Sequence, residues 1–235
     1  MQIQRLLIIS AVKEELFPLF NFLKIQQTNN NLVEIEWNNK KIFFGFTGVG
    51  MINSAVYTSK FIYETKCDFA LQAGIAGCFN YDNKLSETVE ITHEFISEMF
   101  AQDGEKNIEM KSLNLIKEDS NSVYTSMGIE NTSTLFPNLQ KCRGITVNTI
   151  HGNETKIEQL KKRYYQLFGL LPHSESMEGA ALHYMGRDLH IPFIQLRAVS
   201  NYVGERDKAK WKMRDAIYNL NETLMQYLDA LHKIA

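Results

Sequence analysis

Short apolar runs alternate with segments of helical spacing along this chain. The run RLLIIS (5–10) is unbroken and of strand length, which predicts a strand buried on both faces. In the following AVKEELFPLFNFL, Leu16, Leu19, Phe20 and Leu23 recur at helical intervals, while Pro18 confines the helix to an early turn or a break. LVEIEW and KIFFGF flank Asn38, Asn39 and Lys40, and so read as a hairpin closed by a tight polar turn. GVGMINSAVYTSKFIYE opens on glycines and runs into helix, whereas DFALQAGIAG reads as a buried strand ending in a second glycine turn. Further apolar segments, TVEITHEFI, GITVNTI and PFIQLRAVS, are separated by helical patterns over 154–168, 178–188 and 207–233.

This alternation predicts an α/β fold with helices on both faces of the sheet. The stretch 101–143 is polar, has weak periodicity and carries Gly104, Gly128 and Pro137, so a long loop or lid is expected there. QQTNNN (26–31) reads as a polar turn, and no internal repeat is evident.

With 235 residues, 44% of them hydrophobic, the chain can bury a sizeable core and is expected to form a single domain, 1–235. A formal net charge of −2 supplies no basic field for a nucleic acid, and no Lys/Arg block marks a membrane patch. A small ligand is the expected partner. Cys67, Cys78 and Cys142 are too few and scattered for a disulfide framework, so a reducing interior and buried thiols are expected. The apolar run near the start is far shorter than a membrane span, which points to a cytoplasmic protein. Neither His151 nor His173 sits in a metal-ligand spacing, and no metal or cofactor is implied.

Candidate chemistry gathers at predicted strand ends, where open α/β sheets bind their ligands. SAVKEE places Glu14 and Glu15 in the first turn of a helix, where the macrodipole favours acids in any case. TGVG (47–50) and AGIAG (73–77), the latter with Gly74 and Ile75, bring backbone N–H groups close to a ligand. Neither has the spacing of a dinucleotide or P-loop motif. RAVSN ends a buried strand on the polar pair Ser200 and Asn201.

SAVKEEL, TGVG, AGIAG, ESMEGAAL and RAVSNYVGERD occur in one order along the chain. In this it resembles the nucleoside phosphorylase and nucleosidase superfamily, and within it the purine nucleosidases that hydrolyse methylthioadenosine and adenosylhomocysteine. ESMEGAA and the segment RAVSNYVGERDKAKW are most similar to the futalosine hydrolases of the alternative menaquinone pathway.

The resemblance implies a three-layer α/β sandwich around a mixed, partly barrel-like sheet. It implies a homodimer in which the neighbouring subunit completes the pocket. By position, Glu15 matches the carboxylate that holds the attacking water, and Glu178 matches the ligand of the ribose 2′- and 3′-hydroxyls, with Met177 packed on the sugar. Adenine-specific relatives carry Asp after the Ser of this last motif; here Asn201 stands there, which suits a 6-oxopurine and predicts hypoxanthine as the leaving group. Phosphorolysis is disfavoured, because no Arg lies around TGVGMINSA and Ile75 stands where the methylthioadenosine nucleosidases have Ser; Lys13 is the one cation nearby that could serve a phosphate. Phe95, Met99, Phe100 and Arg206 are candidates for the 5′ end of the substrate, and Glu175 is read as structural. The alternatives are a methylthioadenosine/adenosylhomocysteine or aminodeoxyfutalosine nucleosidase, and a binding protein that senses a nucleoside.

Overall fold

The computed structural model describes residues 3–26, 29–116, 129–130 and 138–233. Within the lid expected over 101–143, residues 117–128 and 131–137 lie outside this description, as do residues 27 and 28 of the expected polar turn.

The first strand, β1 (Arg5–Ser10), lies between β3 (Lys40–Phe46) and β4 (Phe69–Cys78), parallel to both. On β1, Leu6 and Ile8 join one apolar cluster while Leu7 and Ile9 join another, as a strand buried on both faces requires. β2 (Leu32–Trp37) pairs antiparallel with β3 through Asn38 and Asn39, both at positive φ, which is the backbone of a tight hairpin turn. Pro18 splits the first helical stretch into a 3-10 turn, Lys13–Leu16, and a short helix α1 (Phe17–Phe22).

The other half of the sheet closes on itself. β11 (Phe193–Tyr202) runs parallel to β4 and antiparallel to β5 (Thr88–Ile96), and β5 runs parallel to β9 (Lys141–Thr146). The three-residue strand β10 (Ser174–Ser176) then pairs with β9 on one edge and with β4 on the other, completing a ring. β10 was not anticipated, because a segment this short carries no periodicity of its own. β6 (Phe100–Asp103) and β7 (Lys106–Glu109) make a small separate hairpin where loop was expected, and β8 (Ile129–Glu130) pairs with β5.

Helices cover both faces. α1 and α5 (Met213–Lys233) pack through Leu19, Phe20, Leu220 and Leu224 on one side. α2 (Met51–Thr65) and α4 (Gly179–Asp188) pack through Phe61, Ile62 and Leu182 on the other. α3 (Glu154–Phe168) covers the ring through Ile157 and Tyr164; Asn153 caps its start and Gly169 ends it in the left-handed conformation. The helical pattern over 207–233 divides into a 3-10 turn capped by Asp207 and α5 proper. Cys67, Cys78 and Cys142 are buried and unbridged. Among the described residues no helix is long and apolar enough to cross a membrane.

Candidate active site

Glu15 sits at the end of the 3-10 turn that follows β1, with 6% of its surface exposed. Its carboxylate accepts from Ser10 Oγ and, at 2.9 Å, from Ile75 N on β4. The backbone beneath it is pinned from the far side of the sheet: buried Asn221 of α5 donates to Glu15 O at 2.8 Å and accepts from Leu19 N at 3.1 Å. Burial raises the Glu15 carboxyl above the usual carboxylate range, against the opposing pull of Ser10, the Ile75 N–H and Arg197. A carboxylate with such an elevated proton affinity is suited to accept a proton near neutrality.

Glu178 is the residue that begins α4, yet its side chain does not cap the helix. It turns instead toward Gly50 N, at 3.0 Å, and toward Arg197 Nη1, at 3.8 Å. The glycine loop therefore uses one of its N–H groups to orient a carboxylate. Ser54 Oγ and Gln72 Nε2 both donate to Glu178 O, so α2 and β4 fix the backbone as well.

Arg197 joins the two acids. It is buried on β11 and donates through Nη1 to Ile75 O at 3.5 Å, while its Nε and Nη2 face no protein acceptor. A Cβ at Gly74 would fall 2.4 Å from Arg197 Nη1 and 3.1 Å from Glu15 Oε1, so only glycine leaves the space in which these groups meet. The arrangement is two carboxylates and a guanidinium enclosed at the strand ends, with two N–H donors still to spend. Sequence reasoning missed Arg197, although the signal was present: an Arg inside the apolar run PFIQLRAVS must be paired if that run is a buried strand.

Asn201 lies on the irregular end of β11, where the register slips between Val199 and Asn201. The single Ser200 hydroxyl proton has two acceptors in reach, Asn201 Oδ1 at 2.9 Å and Ala76 O at 3.2 Å, and Asn201 Nδ2 donates to Tyr202 O at 2.9 Å. Ser200 thus orients the amide and ties it to β4. Met177 is half-buried against the cluster of Phe79, Phe95, Ile145 and Val203.

Phe95 is part of that same buried cluster and packs edge-on against Tyr164 and Phe168. Phe100, next to half-buried Met99 at the start of the small hairpin, lies under the Arg163 guanidinium at 4.2 Å, and Arg163 holds Glu109 of β7 at 2.8 Å. Arg206 is exposed and stacks over Trp211 at 5.5 Å, while Glu205 is taken by Lys210. Lys13 is half-buried, its ammonium 5.6 Å from the centre of the Phe46 ring, rather than fully solvated.

A further carboxylate, Glu94 of β5, supports the start of α4 from beneath. It accepts from Gln195 Nε2 at 2.9 Å and from Thr146 Oγ1 at 3.1 Å, and the same Thr146 hydroxyl accepts from Ala180 N at 2.7 Å. A Cβ at position 179 would stand 1.9 Å from Glu94 Oε1, which is why Met-Glu is followed by Gly. Burial pushes the Glu94 carboxyl up to about 7 from 4.5. The folded protein thus holds this proton more tightly than the unfolded chain, and stability falls as pH rises through that interval. The loss amounts to roughly 3 kcal/mol once the pH exceeds the folded value. Glu94→Gln, which keeps the shape and removes the charge, is expected to flatten this decline. Urea unfolding of both proteins at pH 5 and pH 8 checks it, and equal slopes would contradict the assignment.

Among the described residues no group of three or more His, Cys, Asp or Glu side chains is arranged to hold a metal ion.

Residues 5–232 match the family model described as "Phosphorylase superfamily". The chain is 25% identical to the futalosine hydrolase of Thermus thermophilus over 77% of its own length and 79% of that protein. It is 21% identical to the 5′-methylthioadenosine/S-adenosylhomocysteine nucleosidase of Bacillus subtilis over 97% of its length and 100% of that protein. A crystal structure of a mutant of the Helicobacter pylori nucleosidase with 5′-methylthioadenosine in its active site superposes with a TM-score of 0.77 at 17% identity, covering 97% of this chain and 99% of that one.

Proposed function

The chain belongs to the phosphorylase superfamily, and from that premise we propose that it hydrolyses the N-glycosidic bond of futalosine, releasing hypoxanthine for the alternative route to menaquinone. Its curated relatives are nucleosidases, that is, N-glycosyl hydrolases. The observation that carries the proposal is the meeting of Glu15 and Glu178 at Arg197, with the amide of Asn201 further along β11.

Cleavage of such a bond needs a directed water, a grip on the ribose as it gains positive charge, and a site for the departing base. Glu15, its proton affinity raised by burial, holds the water and takes its proton. Glu178 accepts from the 2′- and 3′-hydroxyls and lies where positive charge develops on the sugar ring. Arg197 lies between the two acids, and its charge opposes the rise in Glu15 proton affinity that burial causes. Asn201 offers the second N–H of Nδ2, the one not given to Tyr202 O, to the O6 acceptor of hypoxanthine. Phosphorolysis is less suited to this pocket, because two carboxylates, Glu15 and Glu178, flank the one guanidinium and would repel a phosphate.

The direct test is incubation of the purified protein in phosphate-free buffer with futalosine, inosine and methylthioadenosine in turn, followed by chromatography of the free purine. Release of hypoxanthine from futalosine supports the reading; adenine alone, or product only with added phosphate, would overturn it.

The chain also acts as a homodimer in this reading. Val49, Ile52, Val56 and Tyr63 are exposed along α2 and the glycine loop before it, beside the Gly50 N–H that binds Glu178. Such an apolar stripe marks an interaction surface. Light scattering of a dilute sample is expected to give twice the monomer mass of 27.1 kDa, and the monomer value would remove the dimer.

A further inference from the structure

A purine leaving group must acquire a proton, and Asn201 has none to give up. The nearest titratable pair lies across the sheet. At the level of Gly77 the strands carry Glu175 on β10, Gly77 on β4 and Asn201 on β11 side by side. The Glu175 and Asn201 side chains converge on the space above that glycine: Glu175 Cγ is 3.7 Å and Asn201 Nδ2 is 3.4 Å from the point a Gly77 Cβ would occupy. Glu175 is buried and binds one residue twice, accepting from His151 N at 3.1 Å and pairing with His151 Nδ1 at 2.7 Å. Hydrogen-bonding Nδ1 to a carboxylate fixes the tautomer and leaves Nε2 as the exchanging nitrogen.

We propose that His151, oriented by Glu175, is the acid that protonates the departing base. The step rests on the nucleosidase reading above. The C1′–N9 electron pair leaves with the purine, N7 takes the proton from His151 Nε2, water oxygen bonds to C1′, and Glu15 receives the proton that water loses. Exchange with solvent restores both side chains. The surroundings favour the imidazolium: Glu175 on β10 raises the His151 proton affinity, Glu98 after β5 adds to it, and burial together with Lys156 in the first turn of α3 opposes. Exposed Arg206 is the other nearby cation, its stem 3.1 Å from the position of a Cβ at neighbouring Gly152.

His151→Gln is expected to lower turnover of inosine or futalosine roughly 100-fold, within the range usual for a proton donor. The same variant should cleave 7-methylinosine at close to the wild-type rate, because that base carries a fixed positive charge and departs without a proton. In the wild type the rate should fall on the alkaline side as His151 deprotonates. That limb should vanish in His151→Gln and move to lower pH in Glu175→Gln, which keeps the imidazole and removes its anionic partner. Equal losses on the two substrates, as misfolding would give, or an alkaline limb unmoved in both variants, would overturn the proposal. A wild type that cleaves inosine but shows no variant effect sinks the acid alone. One that cleaves no purine nucleoside sinks the nucleosidase reading, and the acid with it.

Discussion

Replacing Glu15 by Gln is expected to cut hydrolysis roughly 100- to 10,000-fold, the range typical of general-base assistance, with affinity for a non-cleaved nucleoside nearly unchanged. The expectation follows from what the carboxylate touches. Both oxygens are already oriented, one by the Ser10 hydroxyl and one by the Ile75 N–H, and a carboxamide can keep both contacts by accepting from Ile75 N and donating to Ser10 Oγ, whose proton turns to Val12 O. Its oxygen would stay on the Ile75 N–H, leaving an NH2 where the proton acceptor had been. The backbone would hold, because Asn221 fixes Glu15 O independently of the side chain. Single-turnover cleavage and equilibrium binding separate the outcomes: lost turnover with retained binding supports the base, whereas intact turnover assigns it elsewhere. A nucleoside sensor would show no turnover to lose.

Asn201→Asp should shift base preference from hypoxanthine toward adenine nucleosides by at least about 100-fold, since a site built for one hydrogen-bonding pattern rejects the other by unpairing its own groups. Asn201 Oδ1 accepts from Ser200, so an ionised Asp would keep that bond and lose the one Nδ2 makes to Tyr202 O. The Asp would then need a proton to serve adenine N7, and activity on adenosine should grow as pH falls. Ratios of kcat/KM for inosine and adenosine across pH measure this. An unchanged ratio would place the selectivity outside Asn201.

Much of the fold was legible because its signals are local. The unbroken run 5–10, the Asn38–Asn39 turn and the helical spacing over 154–168 each act over a few residues, and β1, the β2–β3 hairpin and α3 form where they predict. β10 was not, since its existence depends on partners more than 25 residues away. The site was legible unevenly for the same reason. Glu15 and Glu178 stood out through motifs, but Arg197, Asn221 and Glu94 act through burial and pairing that only the closed sheet creates. Phe95 joins Met177 in the cluster under α3, a grouping of residues 82 positions apart that only the fold creates.

The ring has a temporal consequence. β11 lies between β4 and β5 and carries both Arg197 and Asn201, yet among the described residues it is the last strand in chain order. Until β11 is made, β4 and β5 each keep an unpaired edge and no guanidinium stands between the two acids, so the candidate site assembles only when the sheet closes. That interval is also when the unfinished polypeptide is most exposed to edge-to-edge association.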